Sequence, residues 1–265
     1  MLDDLTLITK QYPKTQNVLR VYAIGDVHVG SEQFDERAVK EKIKRIKEDP
    51  YGVVCLCGDL ADYGLKNSKT NVYKAVMQPR EQQRYVYELF KPITDKIVSA
   101  VPGNHEERVT REVGTCPLYD LCVLWGVQDV YRENVAIVKY TFGTRHKQDQ
   151  HIFIGITTHG TTRNKHRKFI AGFDGIDFAI SGHTHMPEYS PHGKIRVDRT
   201  KSTAKHVAYK EIVVDPNMHL GGYGLKKEYE IQPPSELQYF ELSSVREKDR
   251  NGTDRNIIDY HSITI

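Results

Sequence analysis

What this 265-residue chain has little of narrows its function early. It contains no stretch of roughly 18 apolar residues, the length a membrane-spanning helix needs. The opening Met1-Leu2-Asp3-Asp4 has no basic start and no apolar run. That predicts no signal peptide and a cytoplasmic protein. Only four cysteines are present. Cys55 and Cys57 are spaced by two in an apolar run and face the same way in a strand, which disfavours a relaxed disulfide between them. Cys116 and Cys122 fall on different faces of a predicted helix. Buried free thiols are expected, not a zinc site. The net charge is only +3. A balance that mild neither demands a nucleic-acid partner nor opposes an anionic substrate. Internal repeats and long low-complexity linkers are also missing. A chain of this length suits one compact domain or one domain with an appendage.

What is there gathers in five clusters, each at the end of a predicted strand. They are Gly25-Asp26-Val27-His28, Gly58-Asp59, Gly103-Asn104-His105-Glu106, His159-Gly160 and Gly182-His183-Thr184-His185. Singly, most have a plain structural reading. Asp26 suits a helix cap, Gly58-Asp59 and Asn104-His105 suit turns, and His159 suits a satisfied core histidine. His183 and His185 alone are a fair metal pair, since a spacing of two puts both imidazoles on one side of an extended segment. Jointly, carboxylates and imidazoles at strand ends point to two metal ions acting on a phosphoester. Such esters are anionic and repel hydroxide. Two cations about 3.5–4 Å apart neutralise the phosphate, lower the pKa of a bound water and hold the attacking and leaving oxygens. Oxygen and imidazole ligands suit manganese, iron, zinc or nickel without choosing among them. Glycine beside a ligand is read as freedom to turn at positive φ.

Hydrophobic patterning places these clusters. Val18–Ile24, Gly52–Leu56, Lys96–Val101, Val135–Phe142, Ile152–Thr158 and Phe178–Ile180 read as strands. Ala38, Val39, Ile43 and Ile46 follow the spacing of an amphipathic helix. Residues 71–90 read as a helix that Pro79 should interrupt. Residues 106–125 read as helical, split by Gly114 and Pro117. Strands alternating with helices imply right-handed crossovers and a largely parallel core, with ligands at the carboxyl ends of the strands. Val207–Val214 and Leu237–Val245 add strands, and residues 246–256 read as a charged hairpin tip turning at Asn251-Gly252 before a return strand, Ile257–Ile265.

The five clusters resemble the calcineurin-like metallophosphoesterase superfamily, whose pattern is D-x-H, G-D, G-N-H-D/E, H and G-H-x-H. Every element is matched in order between about residues 20 and 190. The resemblance implies an α/β fold, a four-layer α/β/β/α sandwich of two mixed β-sheets. It implies a single metallophosphoesterase domain over 1–265, with a motif core at about 18–190 and C-terminal strands, 205–265, completing the second sheet. Asp26, His28 and His185 would ligate the first metal, Asp59 would bridge both, and Asn104, His159 and His183 would ligate the second. His105 would sit by the leaving-group oxygen as general acid or as stabiliser of developing charge. A hydroxide shared by two divalent or trivalent ions, manganese being the first expectation, would be the nucleophile.

Two departures sort the subfamilies. Phosphoprotein phosphatases carry an Arg in G-D-x-V-D-R-G and another before G-N-H-E. Here the strings are Gly58-Asp59-Leu60-Ala61-Asp62-Tyr63-Gly64 and Pro102-Gly103-Asn104-His105. That demotes a protein phosphatase and makes Glu106 an incidental match. The Pro102 form resembles repair-type nucleases and small prokaryotic and phage phosphoesterases.

Beyond the motifs, Arg163, Lys165, Arg167 and Lys168 cluster four residues after His159 with no acid among them. The plain reading is a solvated helix start. The alternative is contact with substrate phosphates, because clustered like charges repel unless an anion is present. A second basic stretch, Lys194–Lys201, would with them track a phosphate backbone. Phosphodiester hydrolysis is therefore expected, with a nuclease or nucleotide-processing enzyme in front. A phosphomonoesterase or cyclic-nucleotide phosphodiesterase on a small substrate is the alternative. A non-catalytic binding subunit is the reading from another class, and the intact ligand set counts against it. No membrane partner is expected, and the oligomeric state is left open.

Overall fold

The computed structural model of the chain describes residues 4–65, 75–143, 150–198, 200, 202–219, 235–248 and 254–265. In chain order the elements are β1 (Ile8–Tyr12), β2 (Val18–Ile24), α1 (Glu36–Glu48), β3 (Gly52–Leu56), α2 (Pro79–Phe90) and β4 (Ile97–Ala100). There follow α3 (Asn104–Val113), α4 (Pro117–Trp125), β5 (Val135–Phe142), β6 (His151–Thr158), α5 (Arg163–Ala171) and β7 (Phe178–Ser181). The chain ends in β8 (Glu188–Asp198), β9 (Thr203–Val213), β10 (Glu236–Lys248) and β11 (Asp254–Thr264).

Two mixed sheets result. One runs β1-β5-β6-β7-β9-β8 and the other β11-β10-β2-β3-β4. The apolar runs of β2 and β3 are paired in parallel and β3 is buried throughout, as a central parallel strand covered on both faces must be. The sheets pack face to face. Phe178 of one meets Phe240 of the other, with ring centroids 5.0 Å apart, and Tyr140 lies beside Phe178 at 5.7 Å within its own sheet, while Ser99 and Thr157 share a hydrogen bond of 2.8 Å across the gap. On the outer faces, α1 buries Ala38, Val39, Ile43 and Ile46, while α5 seats Ile170 against Val135, Ile156 and Ala179. The Asp35 carboxylate caps α1 by accepting the Ala38 N–H at 2.9 Å.

Three expectations change. Pro79 does not interrupt α2 but begins it, where its missing N–H is one the first turn leaves unbonded anyway; residues 71–74 of that expected segment lie outside the described residues. The C-terminal strands do not complete one sheet. β9 joins β7 in the first, and β10 with β11 joins β2 in the second. Finally, Lys194 and Arg196 lie in β8, an edge strand that patterning missed because its apolar Ile195 and Val197 are exposed and none of its described side chains is buried. The hairpin tip expected at Asn251-Gly252 falls outside the described residues, and β11 is its return strand.

Candidate metal centre

Each cluster falls just beyond a strand, at the same end of both sheets. Asp26 and His28 follow β2, Asp59 follows β3, Asn104 opens α3 after β4, His159 follows β6, and His183 and His185 follow β7. The turns are strained. Asp26, His28, Asp59, His183 and His185 have φ of 49°, 52°, 53°, 73° and 54°. Positive φ is uncommon for side-chain-bearing residues and concentrates where function needs it.

The loops are stitched so that these conformations hold. The N–H groups of Val27 and His28 both donate to Asp59 O, at 2.8 and 3.0 Å. Asp59 Oδ1 accepts the His105 N–H at 2.8 Å, and Asp26 Oδ2 accepts the His183 N–H at 2.8 Å. Gly58 and Gly160 turn at positive φ, 83° and 94°, as expected, whereas Gly103 and Gly182 serve close approach. A Cβ on Gly103 would lie 2.1 Å from Asp59 Oδ1, and one on Gly182 would lie 2.6 Å from Asp26 Oδ2.

All seven expected ligands converge. His28 Nε2 and His185 Nε2 are 3.1 Å apart, and His185 Nε2 is 3.6 Å from Asp26 Oδ1. Asn104 Oδ1 is 3.1 Å from His159 Nε2 and 2.8 Å from His183 Nδ1. Between the two groups stands Asp59, whose Oδ2 is 3.3 Å from His159 Nε2 and 3.9 Å from His28 Nε2. His105 Nε2 is also 3.9 Å from that oxygen.

These residues fit a pair of cations. Imidazole nitrogens pointing at one another have lone pairs to share, and atoms bound at about 2.0–2.2 Å to one ion lie roughly 3–3.5 Å apart. Asp26 Oδ1 is buried without a hydrogen-bond partner, as an oxygen reserved for a cation would be. His159 Nδ1 donates to Cys57 O at 2.7 Å, which fixes the tautomer that aims a lone pair from Nε2 inward.

Without cations the site balances its charge internally. Burial opposes a charged His159, but Asp59 outweighs it and pushes the imidazole up to about 10. Asp59 is held far below the usual carboxylate range, since His159 overcomes the burial that would raise it. His28, buried and beside His105, is pushed down to about 3. His105 is shifted upward, because its bond to Asp62 and the charge of Asp59 exceed the burial that lowers it.

Sequence reasoning missed three residues. Glu106, read as incidental, is buried, with Oε2 accepting the N–H groups of Asp59 and Gly103 at 2.8 and 2.9 Å and Oε1 accepting that of Leu60 at 2.8 Å. Asp62 orients His105, whose Nδ1 lies 2.6 Å from Asp62 O and 3.4 Å from Asp62 Oδ1. Asn217 holds the Asp26 turn from outside, through its Nδ2 to Gly25 O at 2.8 Å and its N–H to Asp26 O at 3.0 Å. Glu106 and Asp62 stood inside quoted motifs, whereas nothing local marked Asn217.

The basic cluster does not stand free. Arg163 Nη2 and Arg167 Nη2 both contact the Glu188 carboxylate, while Lys165 and Lys168 are exposed. In the second basic stretch, Lys194 and Arg196 pair with Asp174 at 3.2 and 2.9 Å. For Arg163, Arg167, Lys194 and Arg196 the chain itself supplies a counter-ion.

The profile of the calcineurin-like phosphoesterase family matches residues 19–187, more than half of the sequence. The chain belongs to that family. No curated protein matches it. Similar solved structures include Vps29 of Chaetomium thermophilum, 12% identical, covering 93% of this chain and 97% of that one at a TM-score of 0.42. A metallophosphoesterase from Sphaerobacter thermophilus is 16% identical, with 92% and 88% covered and a TM-score of 0.40. Vps29 of Entamoeba histolytica, complexed with Zn²⁺, is 14% identical, with 93% and 99% covered and a TM-score of 0.36. Among the described residues, no helix is long and apolar enough to cross a membrane.

Proposed function

We propose that this chain is a phosphodiester hydrolase that works with two metal ions, manganese first among them, on a small substrate. One observation supports the reading above the others: Asp59 Oδ2 stands between a His28/His185/Asp26 group and a His159/His183/Asn104 group, within 3.9 Å of His28 Nε2 and 3.3 Å of His159 Nε2. A single carboxylate so placed suits two ions side by side. When bound, such a pair neutralises the phosphate and activates water.

The chain's own residues supply the rest. His105 donates its Nδ1 proton to Asp62 O, and its bond to Asp62 and the charge of Asp59 shift the imidazole upward against the burial that lowers it, which favours a second proton on Nε2. That Nε2–H is the proton for the departing alkoxide oxygen. Asn104, His159 and His183 are held on fixed strand ends, so the anion meets a site that is organised beforehand. The internal pairing of Arg163 and Arg167 with Glu188 weakens support for a polymer substrate and favours a small one.

Purified protein stripped with chelator and then given Mn²⁺ tests this. Hydrolysis of bis-p-nitrophenyl phosphate should appear with about two ions bound per chain, as a paired site requires. A metal-loaded protein inert on bis-p-nitrophenyl phosphate, p-nitrophenyl phosphate and cyclic nucleotides would instead support the binding-subunit reading.

A further inference from the structure

We infer that a cavity beside the His159–His183 half of the centre is a subsite for a single flat aromatic ring carried by the substrate. The inference rests on the phosphodiesterase reading above. The cavity has a volume of about 190 Å³. Thr161, two residues beyond His159, and Thr184, between His183 and His185, both line it. The cavity therefore adjoins the candidate ligands directly.

Its size and wall suit a ring. An apolar cavity of about 150 Å³ takes up benzene, so this one matches a six-membered ring with small substituents. Met186 and Val213 line it, together with the two threonines, whose methyl groups add apolar surface. Met186 follows His185 directly and is 43% exposed. A polarisable thioether at that place can pack on the edge of a ring and adjust to its shape.

Charge separates an aromatic ring from an alkyl group. Arg163 and Arg167 also line the cavity, and both contact the one carboxylate of Glu188. Two cations against one anion leave a positive charge unmatched. The other acid in the lining, Glu211, lies between His166 Nε2 and His192 Nε2 at 2.9 and 3.0 Å. An alkyl group would strip water from the guanidinium groups and return nothing. An aromatic ring offers its negative face, on which a planar guanidinium stacks. Glu188 holds both arginines in place for that contact. A second phosphate fits less well, because it would leave water for a wall of Met186 and Val213.

Position assigns the role. His28, Asp59 and Asp62 surround His105, and none of them lines the cavity. The ring held here therefore belongs to the alcohol that stays on the phosphate, not to the one that leaves. An aryl alcohol and a pyrimidine nucleoside both carry such a ring. No bond is made or broken in the subsite.

The test uses p-nitrophenyl phosphodiesters with one leaving group and paired retained alcohols: benzyl against cyclohexylmethyl, and 5′-thymidyl against the deoxyribosyl ester that lacks the base. We expect kcat/KM for at least one ring-bearing ester to exceed that of its pair by about fivefold or more, the usual worth of a cation over an aromatic face. The pair that shows the preference identifies the source of the ring. Met186→Ala and Arg167→Lys should each pull that ratio toward one, the second because it keeps the charge and loses the plane that stacks. A ratio lowered by either variant supports the subsite. Equal values within both pairs overturn the inference, as does a ratio that both variants leave unchanged. If no ester is cleaved, the phosphodiesterase reading fails separately. Saturation-transfer NMR with benzyl phosphate, cyclohexylmethyl phosphate and thymidine 5′-monophosphate then decides the subsite. Ring-proton signals in the parent that Met186→Ala weakens support it. Absence of those signals in the parent, or equal saturation of the benzyl and cyclohexylmethyl groups, overturns it.

Discussion

Glu106 holds Asp59 by its backbone: its Oε2 accepts the Asp59 N–H at 2.8 Å, while Oε1 takes the next N–H, that of Leu60, at 2.8 Å. The carboxylate that stands between the two halves of the site is thus fixed by a second, wholly buried carboxylate. Burial and the charge of Asp59 both shift Glu106 upward, and its backbone donors oppose that shift. The turn it secures has φ 53° at Asp59, a conformation the chain does not choose unaided.

Glu106→Ala should therefore act at a distance. Three buried N–H groups lose their acceptor, each costing about 1–3 kcal/mol if left unbonded. The expected result is a lower melting temperature together with weaker binding of both ions, although no ligand is removed. Glu106→Gln, which keeps one acceptor oxygen, should fall between. Thermal melts and metal analysis check this, and metal affinity unchanged in Glu106→Ala would deny that the turn depends on it.

Asp59→Asn keeps the shape of the side chain and removes its charge. If Asp59 bridges, both sites weaken together, because two cations lose the negative charge that offsets their repulsion. Elemental analysis after dialysis reads this directly. Retention of both ions at parental affinity contradicts bridging.

How far the sequence revealed this site depends on how the information is encoded. The candidate ligands were legible because metal chemistry restricts residue types, and each sits within a few residues of a strand whose apolar run is plain, as at Val18–Ile24 and Gly52–Leu56. β1 and β8 were not legible, since β1 is only five residues long and β8 buries none of its described side chains. Asn217 and Glu188 act on residues 191 and more, or about twenty, positions away, as Asn217 with Asp26 and Glu188 with Arg167 show. Contacts of that kind follow from topology, and no local pattern announces them. Glu188, the counter-ion of Arg163 and Arg167, was illegible for the same reason, because it lies on another element.

His105→Ala should cut turnover by roughly 10²–10⁴-fold, the usual worth of a positioned acid, while metal content stays near the parental value. The loss should shrink for esters with good leaving groups, which need little protonation. Asp62→Asn should produce a smaller effect of the same pattern, since the backbone carbonyl at 2.6 Å from His105 Nδ1 remains. A leaving-group series on the three proteins tests this. Equal losses across the series assign His105 to charge stabilisation instead.

Metal binding should release a proton from His159. In the metal-free protein Asp59 outweighs burial and holds this imidazole charged up to about pH 10, against about 6.5 in an unfolded chain. A raised folded pKa stabilises the metal-free protein fully below about pH 6.5, and that contribution is lost as the pH climbs through about 10. A metal ligand must be neutral, so affinity should rise with pH across the same window. His28, pushed down to about 3, is already neutral there and releases nothing. Titrating Mn²⁺ calorimetrically at pH 8, in buffers of different ionisation enthalpy, counts the protons set free. We expect the count to drop by about one in His159→Asn, whose metal-free melting temperature should also lose its decline between pH 6.5 and 10. A proton count identical in parent and variant would show that the Asp59–His159 pair does not carry that charge.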